Sequence, residues 1–235
     1  MSIDNQRLVL DDFPCTIDEE KVKAACHVIE PDDIARVHEL CVEAQAIARP
    51  RAAVVMAMVE IVDDETVRID GVEVRSRLVR VNLDKVHRVF AFTATCSTEL
   101  EEWSRQYEDD LLDQFCTDEI KKQYLVQAMM AAQQTVAERF LPDGKISRMN
   151  PGSLEAWPLT GQRELFQILG DAATKAGVLL TPSYLMQPGK SVSGLFFSDT
   201  TGYVNCIMCP MPACPNRQAP YDSDHYRKRF EQTPT

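Results

Sequence analysis

The sequence predicts an α+β protein in which a twisted antiparallel sheet is flanked by helices. Short runs rich in Val, Ile and Phe alternate with segments of helical periodicity, and one stretch, Leu111 to Phe140, contains no Pro or Gly. The chain has 235 residues, 45% of them hydrophobic, which is enough to bury a sizeable core. These observations exclude disorder as the starting interpretation.

The first hundred residues predict two helices followed by strands. Acidic residues load the first turn of a helix that starts near Thr16, and a second helix is expected from Asp32 to Ala48, before Pro50. The Val-rich and Met-rich run Ala52 to Val62 predicts a strand. Val79 to Val81 and Arg88 to Thr93 continue the strand pattern.

The middle of the chain is predicted to be helical. A helix is expected from Glu99 to Gln106, with Thr98 as its N-cap and Glu101 completing a capping box. The composition of Leu111 to Phe140 predicts one long buried helix, which we expect to break near Thr117 and Asp118 if it breaks at all.

The last third predicts one more helix and short strands. The helix spans Thr160 to Lys175 and ends at Gly177, and the strands are Ser183 to Met186 and Val192 to Phe197. We expect residues 1–100, an N-terminal α/β portion, and residues 101–222 to form one compact domain. Residues 223–235 are expected to be a charged tail.

Charge and hydropathy limit the possible partners and compartment. The formal net charge is −11, which predicts repulsion from nucleic acid and from anionic membranes. No uncharged run approaches the roughly 18 residues of a membrane helix, and the N-terminus carries no apolar stretch of signal-peptide length. We therefore expect a cytoplasmic protein that binds neither nucleic acid nor membranes.

The segment Arg148 to Ser153 is a candidate binding loop. Pro151 and Gly152 predict an irregular backbone whose amides and carbonyls can face a ligand, and Arg148 offers a planar fork for a carboxylate. The alternative is an ordinary loop between helices with a surface arginine, and the local sequence alone favours that alternative.

A second candidate segment contains Gly189, Lys190 and Ser191, a combination typical of phosphate-binding loops. The glycine spacing that such loops need before the lysine is absent, and the segment leads into a strand instead of a helix. We therefore reject nucleotide binding by this segment.

Several segments together resemble the activation domain of vitamin B12-dependent methionine synthase. They are the Arg148 loop, Trp157-Pro158-Leu159, the helix Gln162 to Leu169 and the stretch Leu180 to Ser198. The resemblance extends from about Arg148 to Tyr203, and the long helix before it has the expected length and place. The first hundred residues resemble the short, single-domain members of this family in the order of their elements.

The resemblance implies a fold, a cofactor and a partner. It implies an activation-domain-like fold that binds S-adenosylmethionine and supports the reductive methylation of an oxidised cobalamin. This chain lacks the Asp-x-His-x-x-Gly signature of a corrinoid-binding module, so the cobalamin would belong to a separate corrinoid protein or methyltransferase. A flavodoxin or ferredoxin could supply the electron.

The resemblance also implies roles for individual residues. Arg148 would pair with the carboxylate of the methionine moiety, and the backbone around Asn150, Pro151 and Gly152 would contact the adenosyl part. Tyr203 would lie near the methyl donor and act in catalysis. Ser153 stands where the family carries a tyrosine.

Two further features belong to the same expected site. An acid expected on the long helix is replaced by Gln133 or Gln134. The small residues Ser191, Ser193 and Gly194 are expected to let the adenosyl group or a flat macrocycle approach the backbone closely.

Three of the eight cysteines form a Cys-x2-Cys-x4-Cys motif, Cys206, Cys209 and Cys214. Its spacing lets thiolates of one loop meet a single metal, and an iron–sulfur cluster is favoured over zinc. His225 or Cys96 could supply a fourth ligand. The alternatives are structural thiols or a labile disulfide.

Two other functions remain open at this stage. A docking module could keep the fold without binding S-adenosylmethionine, as the residues at 153 and 133 would allow. An electron-transfer protein could work through the cysteine motif alone.

Overall fold

The computed structural model describes residues 6–142, 144–199, 202–211, 213–214 and 217–224. The strands are β1 (Arg7–Leu10), β2 (Arg51–Ile61), β3 (Thr66–Ile69), β4 (Val72–Arg75), β5 (Arg88–Thr95), β6 (Ile146–Met149), β7 (Leu179–Leu180), β8 (Met186–Gln187) and β9 (Ser191–Ser198). The helices are α1 (Glu19–Ala25), α2 (Pro31–Ile47), α3 (Arg77–Asn82), α4 (Thr98–Ser104), α5 (Leu111–Phe140), α6 (Gln162–Leu169), α7 (Asp171–Lys175) and α8 (Asn205–Met208).

A seven-stranded antiparallel sheet organises the molecule. Its strand order is β4-β3-β2-β5-β9-β6, and β1 pairs with the first half of β2. Strands from both sides of position 100 join this one sheet, because β5 pairs with β9 from Phe90 opposite Phe196 to Thr95 opposite Ser191. The predicted α+β class, with an antiparallel sheet and flanking helices, is confirmed.

The C-terminal half of α5 covers one face of the sheet. Phe92 and Phe196 stack on this face with ring centroids 3.9 Å apart, and both are buried. Alternate residues of β2 and small residues of α5 complete the layer: Ala52, Val54, Met56, Ala128, Ala132 and Val136. Alanines at helical spacing let α5 lie close to the aromatic side chains.

Helices α6 and α7 cover the opposite face. Buried residues of both helices meet the other set of alternate strand residues: Leu165, Ile168, Leu169, Ala172, Ala173, Val55, Ala91, Leu195 and Phe197. A third core lies between α1, α2, α4 and the first half of α5, where Leu40, Leu100, Ile120 and Tyr124 are fully buried. None of the helices in the described part of the chain is long and apolar enough to cross a membrane.

The strand predicted at Val79 to Val81 is wrong, because these residues belong to the helix α3. The Ser76 side chain accepts a hydrogen bond from the backbone N–H of Val79, which is an N-cap that starts a helix. The helix directs Leu78 and Val79 into the core, where both are buried. Tertiary packing thus overrides the strand preference of two valines.

The long helix α5 is continuous, and no break occurs near Thr117. The Thr117 hydroxyl donates to the Gln114 carbonyl within the helix, at 3.0 Å. The predicted N-cap at Thr98 is wrong by one residue, since Ser97 accepts from the Leu100 N–H and Thr98 is the first helical residue.

Two other boundaries differ from expectation. The helix expected from Thr160 to Lys175 is divided into α6 and α7 at Gly170, whose φ is 56° and whose backbone therefore leaves the helical region. The strand expected at Ser183 to Met186 is reduced to the two-residue strand β8, paired with β7. Of the expected tail, residues 225–235 lie outside the described part of the chain.

Candidate functional site

Arg148 lies in the edge strand β6 and not in a loop. It pairs with Phe196 of β9, and its side chain points to the face that α5 covers. There the guanidinium contacts the sulfur of Met129 on α5. The irregular segment therefore begins only at Asn150, and the expectation of a loop from Arg148 onwards is corrected.

The Arg148 guanidinium is partly desolvated. Burial lowers its pKa, and the nearby Cys206 side chain partly opposes that shift. Among the described residues, no carboxylate forms an ion pair with Arg148. A half-buried cation whose protein contact is a thioether is suited to receive an anionic group from a ligand.

Asn150 and Gly194 meet on the same face as Arg148. The Asn150 amide nitrogen donates to the Ser193 carbonyl at 2.7 Å. A Cβ at position 194 would lie 2.6 Å from that nitrogen, 2.9 Å from the Phe92 ring and closer still to the Met149 carbonyl. Gly194 is predicted to let a ligand approach the backbone closely. The groups that do approach it are the Met149 carbonyl, the Asn150 amide and the Phe92 ring of this chain.

A tight turn follows β6. Gly152 has φ 79°, and its N–H donates to the Trp157 carbonyl at 2.8 Å. Pro151 is buried, whereas Gly152 and Ser153 are exposed. The Trp157 side chain is buried beneath the turn, and its Nε1 has no hydrogen-bond partner among the described residues.

Ser191 and Ser193 lie on the other face of β9. The Ser193 hydroxyl donates to the side-chain oxygen of Gln162 in α6 at 2.7 Å, and Ser193 is buried. The Ser191 hydroxyl donates to the Pro188 carbonyl at 2.8 Å. The predicted cofactor-binding residues are therefore divided, because Arg148, Asn150 and Gly194 face α5 and the two serines do not.

Tyr203 is buried in the core layer under α6 and is fixed there by Asp199. The Asp199 carboxylate accepts from the Tyr203 N–H and from the Ser147 hydroxyl, which also donates to the Tyr203 carbonyl at 2.8 Å. The Tyr203 hydroxyl bonds to the side-chain oxygen of Asn205. The buried Asp199 carboxylate therefore links the segment after β9 to β6 through hydrogen bonds.

The three cysteines of the motif lie on and after α8. Cys206, Cys209 and Cys214 are half-buried and not paired in disulfides. The Cys206 sulfur accepts from the Gln218 N–H at 3.3 Å. The described residues, which omit Pro212, Pro215 and Asn216, contain no group of three or more Cys, His, Asp or Glu side chains arranged to hold a metal. The proposed fourth ligand His225 lies outside them, and Cys96 is buried in the α1, α2, α4 and α5 core.

Two cavities lie away from Arg148. One of about 240 Å³ is lined by α4 and by the segment around Pro188. The other, of about 870 Å³, opens at the end of the sheet where β5 begins and β9 ends, and Asp199 is part of its wall. Arg148 lines neither of these two cavities.

Sequence reasoning named Arg148 and the following turn as site residues, but it did not identify the residues that contact them. Met129, Ser147, Gln162 and Asp199 each contact a predicted site residue. No motif marks three of them: Met129 lies within the long helix α5, Ser147 lies within β6, and Asp199 directly follows β9. The pairing of β6 with β9 brings Ser147 close to Asp199, whereas Met129 and Gln162 reach the predicted residues from α5 and α6.

These elements define an α+β protein with an antiparallel sheet, α5 on one face and α6 and α7 on the other. This fold is similar to that of the MetH reactivation domain bound to AdoHcy, a solved structure that superposes with a TM-score of 0.57. The similarity covers 74% of this chain and 67% of that chain, at 18% sequence identity. The predicted activation-domain-like fold is confirmed, and identity at this level shows the fold alone.

Two other comparisons gave no relative. No protein-family model matches the chain. No curated protein matches it either.

Proposed function

We propose that this protein binds S-adenosylmethionine along β6 and supports the reactivation of a corrinoid held by a separate protein. S-adenosylmethionine would supply the methyl group and leave as S-adenosylhomocysteine, and a separate donor would supply one electron to the corrinoid. The chain would position the methyl donor, and the partner would present the corrinoid.

The observation that carries the proposal is the Arg148 guanidinium. It is partly desolvated, contacts the Met129 sulfur and has no carboxylate partner in the described part of the chain. The carboxylate of a methionine moiety would supply the missing charge and make two parallel hydrogen bonds with the fork. The fold similarity to a domain that binds AdoHcy supports the same class of ligand.

The turn after β6 supports a place for the rest of the ligand. Gly152 and Ser153 are exposed, and the Asn150 side chain holds the start of the turn on β9. We assign the adenosyl part to the backbone of residues 150–153. Ser191, Ser193 and Gly194 would support this site through the backbone of β9, since the serine hydroxyls are bonded within the chain.

Tyr203 remains the proposed residue near the methyl donor. Its backbone is held against β6, the strand that carries Arg148, by hydrogen bonds with Ser147 and Asp199. Its buried ring packs in the core layer that α6 covers, and its hydroxyl donates to the Asn205 side chain. Any effect of Tyr203 on the methyl donor would therefore pass through Asn205.

The proposed partner is a corrinoid protein, because this chain lacks the signature of a corrinoid-binding module. A flavodoxin or ferredoxin is the proposed electron donor. The described residues do not gather three metal ligands, so no step of this proposal passes through an iron–sulfur cluster or zinc at Cys206, Cys209 and Cys214.

The decisive variant is Arg148→Met, which keeps the length of the side chain beside Met129 and removes its charge. We expect S-adenosylmethionine affinity to fall by about 1.5 to 3 kcal/mol, roughly tenfold to a hundredfold, the contribution of a charge-assisted hydrogen bond. The melting temperature should be unchanged or higher, because a desolvated charge is removed. Calorimetric titration measures the affinity.

Arg105→Met is the matched control, since Arg105 is an exposed arginine at the end of α4. It should leave the affinity unchanged. Equal affinity in the Arg148 and Arg105 variants would remove Arg148 from the site. Failure of the unchanged protein to bind S-adenosylmethionine at all would favour the docking module instead.

A further inference from the structure

The cavity of about 870 Å³ is a second candidate binding site, and we name it the β5-end cleft. It lies between the α3–β5 connection, the end of α5 and the end of β9. Its lining residues are Met58, Val81, Asn82, Asp84, Lys85, Val86, His87, Arg88, Leu141, Ser198 and Asp199. The volume lies in the range of sites for small organic ligands, about 300 to 1,000 Å³.

Basic side chains surround the β5-end cleft. Lys85, His87 and Arg88 line it, and all three are exposed. The backbone of Lys145 adjoins the cleft, because its carbonyl accepts from the N–H of the lining residue Asp199 at 2.9 Å, and its exposed side chain is long enough to reach the opening. Arg88 donates to the Phe140 carbonyl at 2.9 Å, which brings it to the C-terminal end of α5.

These basic groups are not neutralised within the described part of the chain. No ion pair there involves Lys85, His87, Arg88 or Lys145, although most other lysines of the protein are paired across 2.6 to 3.3 Å. The chain as a whole carries a net charge of −11. A group of basic side chains around one cleft is therefore a local exception that would attract an anion.

The two acidic lining residues of the cleft, Asp84 and Asp199, both have partners within the chain. Asp84 forms an ion pair with Arg80 at 2.6 Å. The Asp199 carboxylate accepts hydrogen bonds from the Tyr203 N–H and the Ser147 hydroxyl. Lys85 and Arg88 are thus the cationic lining residues left to meet a ligand, with the His87 ring beside them, and their charge favours phosphate, to which lysine and arginine bind well.

Apolar groups form the remaining wall. Met58, Val81, Val86 and Leu141 line the cleft, and the Met58 side chain is largely exposed. An inorganic anion alone would leave this surface in water, whereas an aromatic or aliphatic group would cover it.

We propose that the β5-end cleft binds a phosphate ester with an aromatic or aliphatic body. The phosphate lies among Lys85, His87, Arg88 and Lys145, and the body covers Met58, Val86 and Leu141. This site is separate from the Arg148 edge, so it holds or fails independently of the proposed S-adenosylmethionine site.

Calorimetric titration with three probes tests the proposal: 1-naphthyl phosphate, inorganic phosphate and 1-naphthol. None of them contains an adenosyl group, and variants of the cleft lysines distinguish binding in the cleft from binding of the phosphate to Arg148. We expect 1-naphthyl phosphate to bind most tightly and its affinity to fall as salt is added. Lys85→Gln and Lys145→Gln should each lower its affinity by about three- to tenfold, the usual effect of losing one charge-assisted contact.

Lys21→Gln is the matched control, because Lys21 is an exposed lysine on α1. It should leave the affinity for 1-naphthyl phosphate unchanged. An equal loss in the Lys21 variant, or no binding of 1-naphthyl phosphate, would overturn the proposal. Equal affinity for inorganic phosphate and 1-naphthyl phosphate would also overturn it, since the apolar wall would then contribute nothing.

Discussion

Arg217 holds the backbone of the cysteine motif in place. Its guanidinium donates to the carbonyls of Cys206, Cys209, Met211 and Ala219, at 3.0 Å for the first and 3.2 Å for the second. One planar cation therefore binds four carbonyls of a segment that otherwise has little regular structure. The thiols project from a backbone that is fixed by a side chain instead of by a strand or a long helix.

The metal prediction is tested at these residues. The Cys-x2-Cys-x4-Cys spacing predicts that protein purified without oxygen is brown and contains iron and acid-labile sulfide. Cys209→Ala should abolish both the iron and the sulfide. Cys15→Ala should keep them, because Cys15 is a half-buried cysteine near the N-terminus and lies outside the motif. Colourless protein with about one zinc would identify the other metal. Colourless, metal-free protein in which all eight thiols react would contradict the prediction.

The sequence singled out Arg148 through the family resemblance, since the local pattern of an arginine before a Pro-Gly turn favours an ordinary loop. It could not identify Met129, whose contact with Arg148 crosses from α5 to β6. Nor could the sequence show that Ser193 faces α6 whereas Gly194 lies on the face of Arg148. Adjacent strand residues face opposite sides, and only the packing of α5 and α6 decides which side meets Arg148.

The pairing of β6 with β9 depends on one glycine. A side chain at Gly194 would collide with the Met149 carbonyl, the Asn150 amide and the Phe92 ring. The first of these is backbone in the paired strand, which cannot move without disturbing the pairing of Met149 with Leu195. The end of β6 and the turn that follows it therefore require that this position carries no side chain.

We predict that Gly194→Ala lowers the free energy of unfolding by about 1 to 3 kcal/mol, the usual effect of overpacking a core. Urea unfolding followed by circular dichroism measures it. Gly144→Ala is the matched control, because a Cβ there would have its nearest neighbour at an ordinary 3.5 Å. A stable Gly194→Ala variant, equal to this control, would show that β6 can shift outward and that the close approach is not required.

The elements were predictable where the sequence pattern was long. Leu111 to Phe140 is a helix at both ends as expected, since thirty residues without Pro or Gly leave little alternative. Val79-Arg80-Val81 misled because three residues cannot separate strand from helix, and the deciding feature is the Ser76 cap three residues earlier. Short segments take their structure from their neighbours.

The sheet as a whole joins parts of the chain that are distant in sequence. β5, near residue 90, lies between β2 and the much later strand β9. The α5 face likewise combines Val54 and Phe92 with Ala132 and Phe196. The core on either side of position 100 is incomplete without the other part.

We therefore predict that fragments 1–100 and 101–224 do not fold separately. Each should give a circular dichroism spectrum of a largely unfolded chain and no cooperative urea transition, because each exposes half of the sheet core. The full chain should unfold in one transition by both fluorescence and circular dichroism. A cooperative transition in either fragment would show that the two portions are independent domains.

Long-range pairing is also the part of the site that sequence could not supply. The arrangement of Arg148, Asn150 and Gly194 follows from the register of β6 on β9, in which Arg148 is opposite Phe196 and Met149 opposite Leu195. Nothing in either segment fixes that register by itself.

The position of β6 at the end of the strand order has a consequence for self-association. An edge strand presents unpaired N–H and C=O groups that can recruit a strand from another molecule. In the described chain β6 is only four residues long, carries Arg148 near its middle and is followed within two residues by Pro151, which has no N–H to donate. The shortness of β6 and the proline that follows it therefore leave little strand edge on which a neighbouring molecule could extend the sheet.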